Sequence, residues 1–172
     1  VTNALALTPE RFESLLRAGL HSISVSFDGF EEQHNAIRRN PASWRNAVRA
    51  LEVIISTKGI NYDVVTCVSR ENYSQLADFK EFLIEKGCKA WRLFTIFPVG
   101  RAAEDEALQL PPEDYRGLMD FIASTRKEGR IKCNYACEGF LGDYEAEVRD
   151  NFFGCQAGVG IVGIKVDGAI SG

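Results

Sequence analysis

A hydroxyl, a carboxylate and a guanidinium fall close together in "SVSFDGFEEQHNAIR", residues 24–38. Side chains of an extended strand alternate with a period of two, so Ser26 and Asp28 belong on one side of it. Gly29 permits a turn, and Arg38 lies twelve residues beyond Ser26. An arginine fork grips a carboxylate through two parallel bonds, and a serine hydroxyl donates a third. The set therefore suits a zwitterionic small molecule. The same residues also fit a simpler arrangement: an Asx-type turn at Asp28-Gly29, an exposed Arg38, and a His34 that packs.

The second chemically competent group is the five cysteines, at 67, 88, 133, 137 and 155. Their number is odd and no secretory signal pattern opens the chain, which favours reduced thiols or metal ligands over a disulfide framework. Cys67 sits in the alternating, β-branched run "YDVVTCVS" and reads as a small core residue. Cys88 follows a helix-ending Gly87, opens a strand, and reads the same way. Cys133, Cys137 and Cys155 remain as candidates.

The elements that must position these residues repeat one unit. Thr8-Pro9 predicts an N-cap followed by a helix with Phe12, Leu15 and Leu16 inward, closed by Gly19. "HSISVSF" follows as a strand. After Asn40-Pro41 comes a helix carrying Trp44, Val48, Leu51 and Ile55, stopped by Gly59, and then the strand "NYDVVTCV". A helix with Leu76, Phe79 and Leu83 leads to "KAWRLFTIF". One opening at Pro111-Pro112 and carrying Tyr115, Leu118 and Ile122 leads to "IKCNYAC". Strands joined by helices lie parallel with right-handed crossovers, so the predicted fold class is α/β: a parallel sheet with outer helices, barrel-like or doubly wound. Ligands in either architecture sit at the carboxyl ends of the strands.

Composition bounds the function. The 172 residues carry a net charge of −4, with 45% hydrophobic and 26% charged residues. That excess of acid offers no basic footprint for nucleic acid or an anionic membrane. No apolar run approaches the ~20 residues that a membrane span requires. The expected setting is the cytoplasm.

The segment at Ser26–Arg38 resembles the Ser-x-Asp-Gly…His-Asn/Asp-x-x-Arg stretch on the fourth barrel strand of radical S-adenosylmethionine enzymes, in particular those with a SPASM extension. The resemblance continues in order along the chain. Val1-Thr2-Asn3 is similar to the Thr-Asn-Gly ending the third strand, with Ala4 in place of glycine. "TCVSRENYSQL" is similar to the fifth-strand exit, where an Asn often follows, and "FPVGRAAE" to the Pro-x-Gly-Arg-Ala exit of the sixth. The resemblance implies part of a (β/α)6 barrel that binds S-adenosylmethionine and a 4Fe-4S cluster and cleaves the former reductively. The resulting radical abstracts hydrogen from a peptide or a haem or other cofactor precursor. It further implies that Ser26 and Arg38 hold the methionine carboxylate, with Asp28 forming the turn near the ribose.

One departure is large. The family's Cys-x-x-x-Cys-x-x-Cys motif is missing, and "CNYAC" does not replace it, because the third position is Phe140. The chain is accordingly expected to be an internal piece of a longer enzyme: residues 1–130 as the later half of the barrel, 131–172 as the start of the SPASM region. On this reading Cys155, followed at family-like spacing by Gly168, is an auxiliary-cluster ligand in the parent, with Cys137 as a further candidate. The piece alone is expected to hold no cofactor, to be inactive, and to leave Ser22–Phe27 as a sheet edge open to self-association. The competing class is an α/β binding or scaffold domain in which the Ser-Asp-Gly-Arg cluster is incidental.

Overall fold

The computed structural model describes residues 1–136, 139–165 and 167–171, apart from the Arg101 side chain. Helices and strands alternate as α1 (Pro9–Arg17), β1 (Ser22–Ser26), α2 (Glu31–Arg38), α3 (Ser43–Ser56), β2 (Asn61–Val68), α4 (Leu76–Glu85) and β3 (Ala90–Thr95). There follow α5 (Arg101–Glu104), α6 (Asp114–Glu128), β4 (Lys132–Tyr135), α7 (Glu145–Val148), and a hairpin of β5 (Gly163–Ile164) and β6 (Ile170–Ser171). The first four strands form one parallel sheet in the order β1-β2-β3-β4. This is the predicted α/β fold, with the antiparallel hairpin beside it.

The local signals explain most boundaries. The Thr8 hydroxyl accepts the Arg11 N–H at the head of α1, with Pro9 in the first turn. Gly129, at φ +73°, ends α6 in the left-handed conformation that favours glycine. Two expectations shift. Leu15 is 42% exposed and Phe12 alone is fully buried on α1. On α3 the deepest positions are Ala47, Ala50, Leu51 and Ile54, while Trp44, Val48 and Ile55 pack at the margin. Small side chains at the centre of the contact let the helix approach the sheet closely.

α2 has no counterpart in the sequence reading. Its N-cap, Phe30, makes no side-chain cap bond, and its one buried residue is His34. A helix whose inward face is an imidazole leaves no apolar period to detect.

The two faces of the sheet differ. Ile23 and Val25 of the first strand with Phe27 just beyond it, Val64 and Val68 of the second, and Trp91 and Leu93 of the third meet the helices and form the core. Phe27 is fully buried, edge-on to His34 and Phe79 with centroids 5.2 Å away in each case. Burial of such a side chain contributes ~1.5–3 kcal/mol. Among the described residues no helix covers the alternate positions: Ser22 and Ser24, Asn61 and Asp63, Ala90 and Arg92, Lys132 and Asn134 line an open hollow. Helices on one face only give a barrel-like unit rather than a doubly wound one.

The β1 edge is not bare. The Thr2 N–H donates to the Ser24 carbonyl and the Thr2 carbonyl accepts the Ser26 N–H, both at 2.9 Å, so the N-terminal residues bridge to Val25 in parallel.

Past β4, a buried carboxylate organises the chain. Glu145, 2% exposed, accepts the N–H of Leu141 and that of Phe153. Arg149 lies over the Tyr135 and Phe153 rings and donates to the Gly139 carbonyl. Among the described residues no helix is long and apolar enough to cross a membrane.

Candidate functional site

At the carboxyl end of β1 the chain turns through Asp28-Gly29 into α2, with Gly29 at φ +132°. Asp28 is fully buried, and each of its polar groups is engaged. One carboxylate oxygen, Oδ2, receives Arg38 Nε at 2.7 Å and Nη2 at 2.6 Å. The other, Oδ1, accepts the Cys67 N–H from β2 at 3.1 Å. The Asp28 N–H donates to His34 Nδ1 at 3.0 Å, and the Asp28 carbonyl accepts from Asn72 Nδ2 at 2.8 Å. The chain of bonds continues below, where Trp91 Nε1 donates to the Thr66 hydroxyl and that hydroxyl to the Phe27 carbonyl.

His34 is an acceptor at Nδ1, so its proton sits on Nε2, 3.1 Å from Ser43 Oγ. Burial disfavours the imidazolium and lowers its pKa to about 4, against a smaller opposing pull from Asp28. The ring is neutral at physiological pH and works as a fixed hydrogen-bond post.

Asp28, Arg38 and Cys67 open onto a cavity of 240 Å³ whose remaining wall includes Ile37, Ile96 and Val99. The structure thus brings together two of the three residues singled out from the sequence. Ser26 lies one strand step earlier, 9% exposed, and is not among the cavity-lining residues. Cys67 corrects its expected role: it is half-buried at the cavity wall rather than in the core. A larger hollow of 350 Å³ lies at the other end of the open face. Its charges are matched internally, Arg92 to Asp63 at 2.8 Å and Lys132 to Asp150 at 2.7 Å, and it is at the wrong end of the strands for a ligand of a parallel sheet.

The remaining cysteines separate cleanly. Cys88 and Cys133 are buried, and desolvation pushes their thiols up to about 11 and about 12. Both are core residues. Cys155 is exposed, and Cys137 lies outside the described residues. Among the described residues no three His, Cys, Asp or Glu side chains gather into a metal site. The donor set here does not fit an iron–sulfur cluster. What it presents is a fixed guanidinium beside an apolar wall.

Asn72 was not named as a site residue from the sequence, although it lies in the stretch "TCVSRENYSQL" that carries the family resemblance. It is 1% exposed, and its amide spans the exits of β1 and β2. Its position three residues past Ser69, just beyond a strand end, was the available signal.

Fold and site together define a parallel α/β unit that holds a cation at the carboxyl edge of its sheet. No protein-family model matches the chain. It is 31% identical over 137 residues to the AdoMet-dependent heme synthase of Methanosarcina barkeri, covering 79% of this chain and 38% of that protein. It is 28% identical over 124 residues to the mycofactocin maturase MftC of Mycolicibacterium smegmatis, covering 72% of this chain and 31% of that one. A solved structure of histidine-tagged anSMEcpe with bound AdoMet superimposes with a TM-score of 0.59 at 19% identity, over 76% of this chain and 38% of the other. The chain therefore spans about two-fifths or less of each of these proteins. These relatives are radical S-adenosylmethionine enzymes, and the chain matches a segment of such an enzyme.

Proposed function

We propose that this chain is the part of a radical S-adenosylmethionine enzyme that grips the amino-acid end of that cofactor. The observation that carries the reading is the Arg38 guanidinium, held against buried Asp28 at a cavity beyond the carboxyl end of β1. Two of the guanidinium's donors point at Asp28, and its planar fork has five in all, so it can serve Asp28 and a ligand carboxylate together. Ile37, Ile96 and Val99 give the less polar part of the ligand a dry wall. Ser26, one step down the strand, is the second candidate donor. Asp28 itself acts on Arg38 and not on the ligand, since both carboxylate oxygens are already engaged.

S-adenosylmethionine bound beside a 4Fe-4S cluster supplies a radical that abstracts hydrogen, and the protein's share is positioning. The substrate class in this reading is a haem precursor or a peptide, in line with the names of the relatives. Residues 1–130 supply barrel elements and 131–172 begin an auxiliary-cluster region, with Cys155 and Cys137 as ligands completed elsewhere in a longer, cytoplasmic enzyme. The chain by itself has no turnover.

The test is cofactor affinity in the full-length enzyme. Arg38→Ala should weaken S-adenosylmethionine binding by ~1.5–3 kcal/mol, the range of a charged hydrogen bond. Because that change strands the Asp28 carboxylate, Arg38→Lys serves beside it, keeping a cation for Asp28 while removing the fork. Unchanged dissociation constants for both variants would overturn the reading.

A further inference from the structure

The geometry points to Asn72 as the positioning residue for Arg38, acting by locking the β1 exit to the β2 exit. This rests on the reading that Arg38 meets the carboxylate of S-adenosylmethionine. Both donors of the Asn72 amide are in use. Nδ2 donates to the Asp28 carbonyl at 2.8 Å and to the Cys67 carbonyl at 2.9 Å, and Oδ1 accepts the Ser69 N–H at 2.8 Å. The side chain is 1% exposed and has no donor left for a ligand carboxylate. What it does instead is fix one backbone to another. Cys67, whose carbonyl Asn72 holds, gives its own N–H to the Asp28 carboxylate, and that carboxylate orients the Arg38 fork.

His34 holds Asp28 from its other side, through the Asp28 N–H. Asp28 is thereby clamped from α2 and from the segment after β2, and the guanidinium inherits that placement. Loss of the Asn72 amide takes its donor from the buried Asp28 carbonyl, cuts the link to the Cys67 carbonyl, and lets the Asp28 turn shift relative to Cys67. A displacement of a fraction of an ångström is enough to spoil a bidentate contact.

The experiment measures dissociation constants in the full-length enzyme with two probes. S-adenosylhomocysteine carries the amino-acid carboxylate, and 5′-methylthioadenosine lacks it. Asn72→Ala should weaken S-adenosylhomocysteine about tenfold, equivalent to ~1.4 kcal/mol, while leaving 5′-methylthioadenosine within about twofold. In the Arg38→Lys background the same substitution should add less than about twofold, because the fork through which it acts is gone. Should Asn72→Ala fail to fold, Asn72→Ser stands in: its hydroxyl can still serve the Ser69 N–H but cannot span both carbonyls. Equal weakening of both probes, no weakening of either, or full additivity with Arg38→Lys would overturn the assignment. If Arg38→Lys itself leaves S-adenosylhomocysteine unchanged, the cofactor reading fails and takes this one with it. If Arg38→Lys weakens binding and Asn72→Ala does not, this inference fails alone.

Discussion

The imidazole of His34 stabilises the site only in its neutral form. Protonation at Nδ1 would replace the acceptor of the Asp28 N–H with a second donor facing it. With a folded-state pKa of about 4 against 6.5 for an unperturbed histidine, the unfolded chain binds the extra proton first. Stability is therefore intact above pH 6.5 and declines as pH falls from there towards 4, flattening below. At ~1.4 kcal/mol per pKa unit the total is on the order of 3 kcal/mol. Urea denaturation at pH 7 and pH 5 should show about 2 kcal/mol of this loss in the native chain and much less in His34→Gln. A pH-independent midpoint between 7 and 5 would contradict the neutral assignment. The meeting of Asp28 and Arg38 was legible because their side chains announce their chemistry, whereas Ser26 is not among the cavity-lining residues. The roles of His34 and Asn72 were not legible, because the bonds by which they hold the Asp28 turn go to backbone atoms that no spacing rule names. Cys67 was misread for a related reason: alternation separates the two faces of a strand but does not say which one the helices cover.

At the level of elements, α2 is the piece that sequence periodicity missed and the site most needs. It carries both His34 and Arg38, and it ends at Arg39, a residue at φ +52° and ψ +38°. A side chain with a Cβ in that left-handed region costs ~1–2 kcal/mol, and glycine is the usual occupant of this terminus. Arg39→Gly should therefore raise stability by roughly 0.5–1 kcal/mol after allowing for the added freedom of the unfolded chain, seen as a higher thermal midpoint. A lower midpoint would mean that the Arg39 side chain makes a contribution larger than its strain. By contrast α1 was readable from its Thr8-Pro9 start, and α3, α4 and α6 from their stripes, since each of these three buries apolar residues against the sheet at helical spacing.

Across the whole molecule, the one-sided sheet explains why site and core coexist. The helix side holds Phe27, Val64, Trp91 and Leu93 in one continuous cluster, while the other side crosses three strands with a polar layer, Arg92 to Asp63 and to Ser24. A parallel sheet is ordinarily covered on both faces. An uncovered polar face of this kind is what the interior of a partial barrel provides, and the superposition with anSMEcpe accords with it.

Glu145 gives the end of the chain a kinetic signature. Its carboxylate caps the amides of Leu141 and Phe153, whereas Val159, Ile161, Val162, Ile164 and Ile170 are all at least 62% exposed. Local opening free energy follows buried contacts and protected backbone bonds, so the border between slow and fast deuterium uptake should fall immediately after Phe153. Mass spectrometry of the exchanging chain would place Leu141 and Phe153 with the sheet and residues 156–165 with the rapid class. In Glu145→Gln, which keeps the shape and lowers the charge, both amides should exchange faster together. Independent behaviour of the two would mean that no single carboxylate joins them. Cys155 then stands two residues beyond that border, in the rapidly exchanging part of the chain.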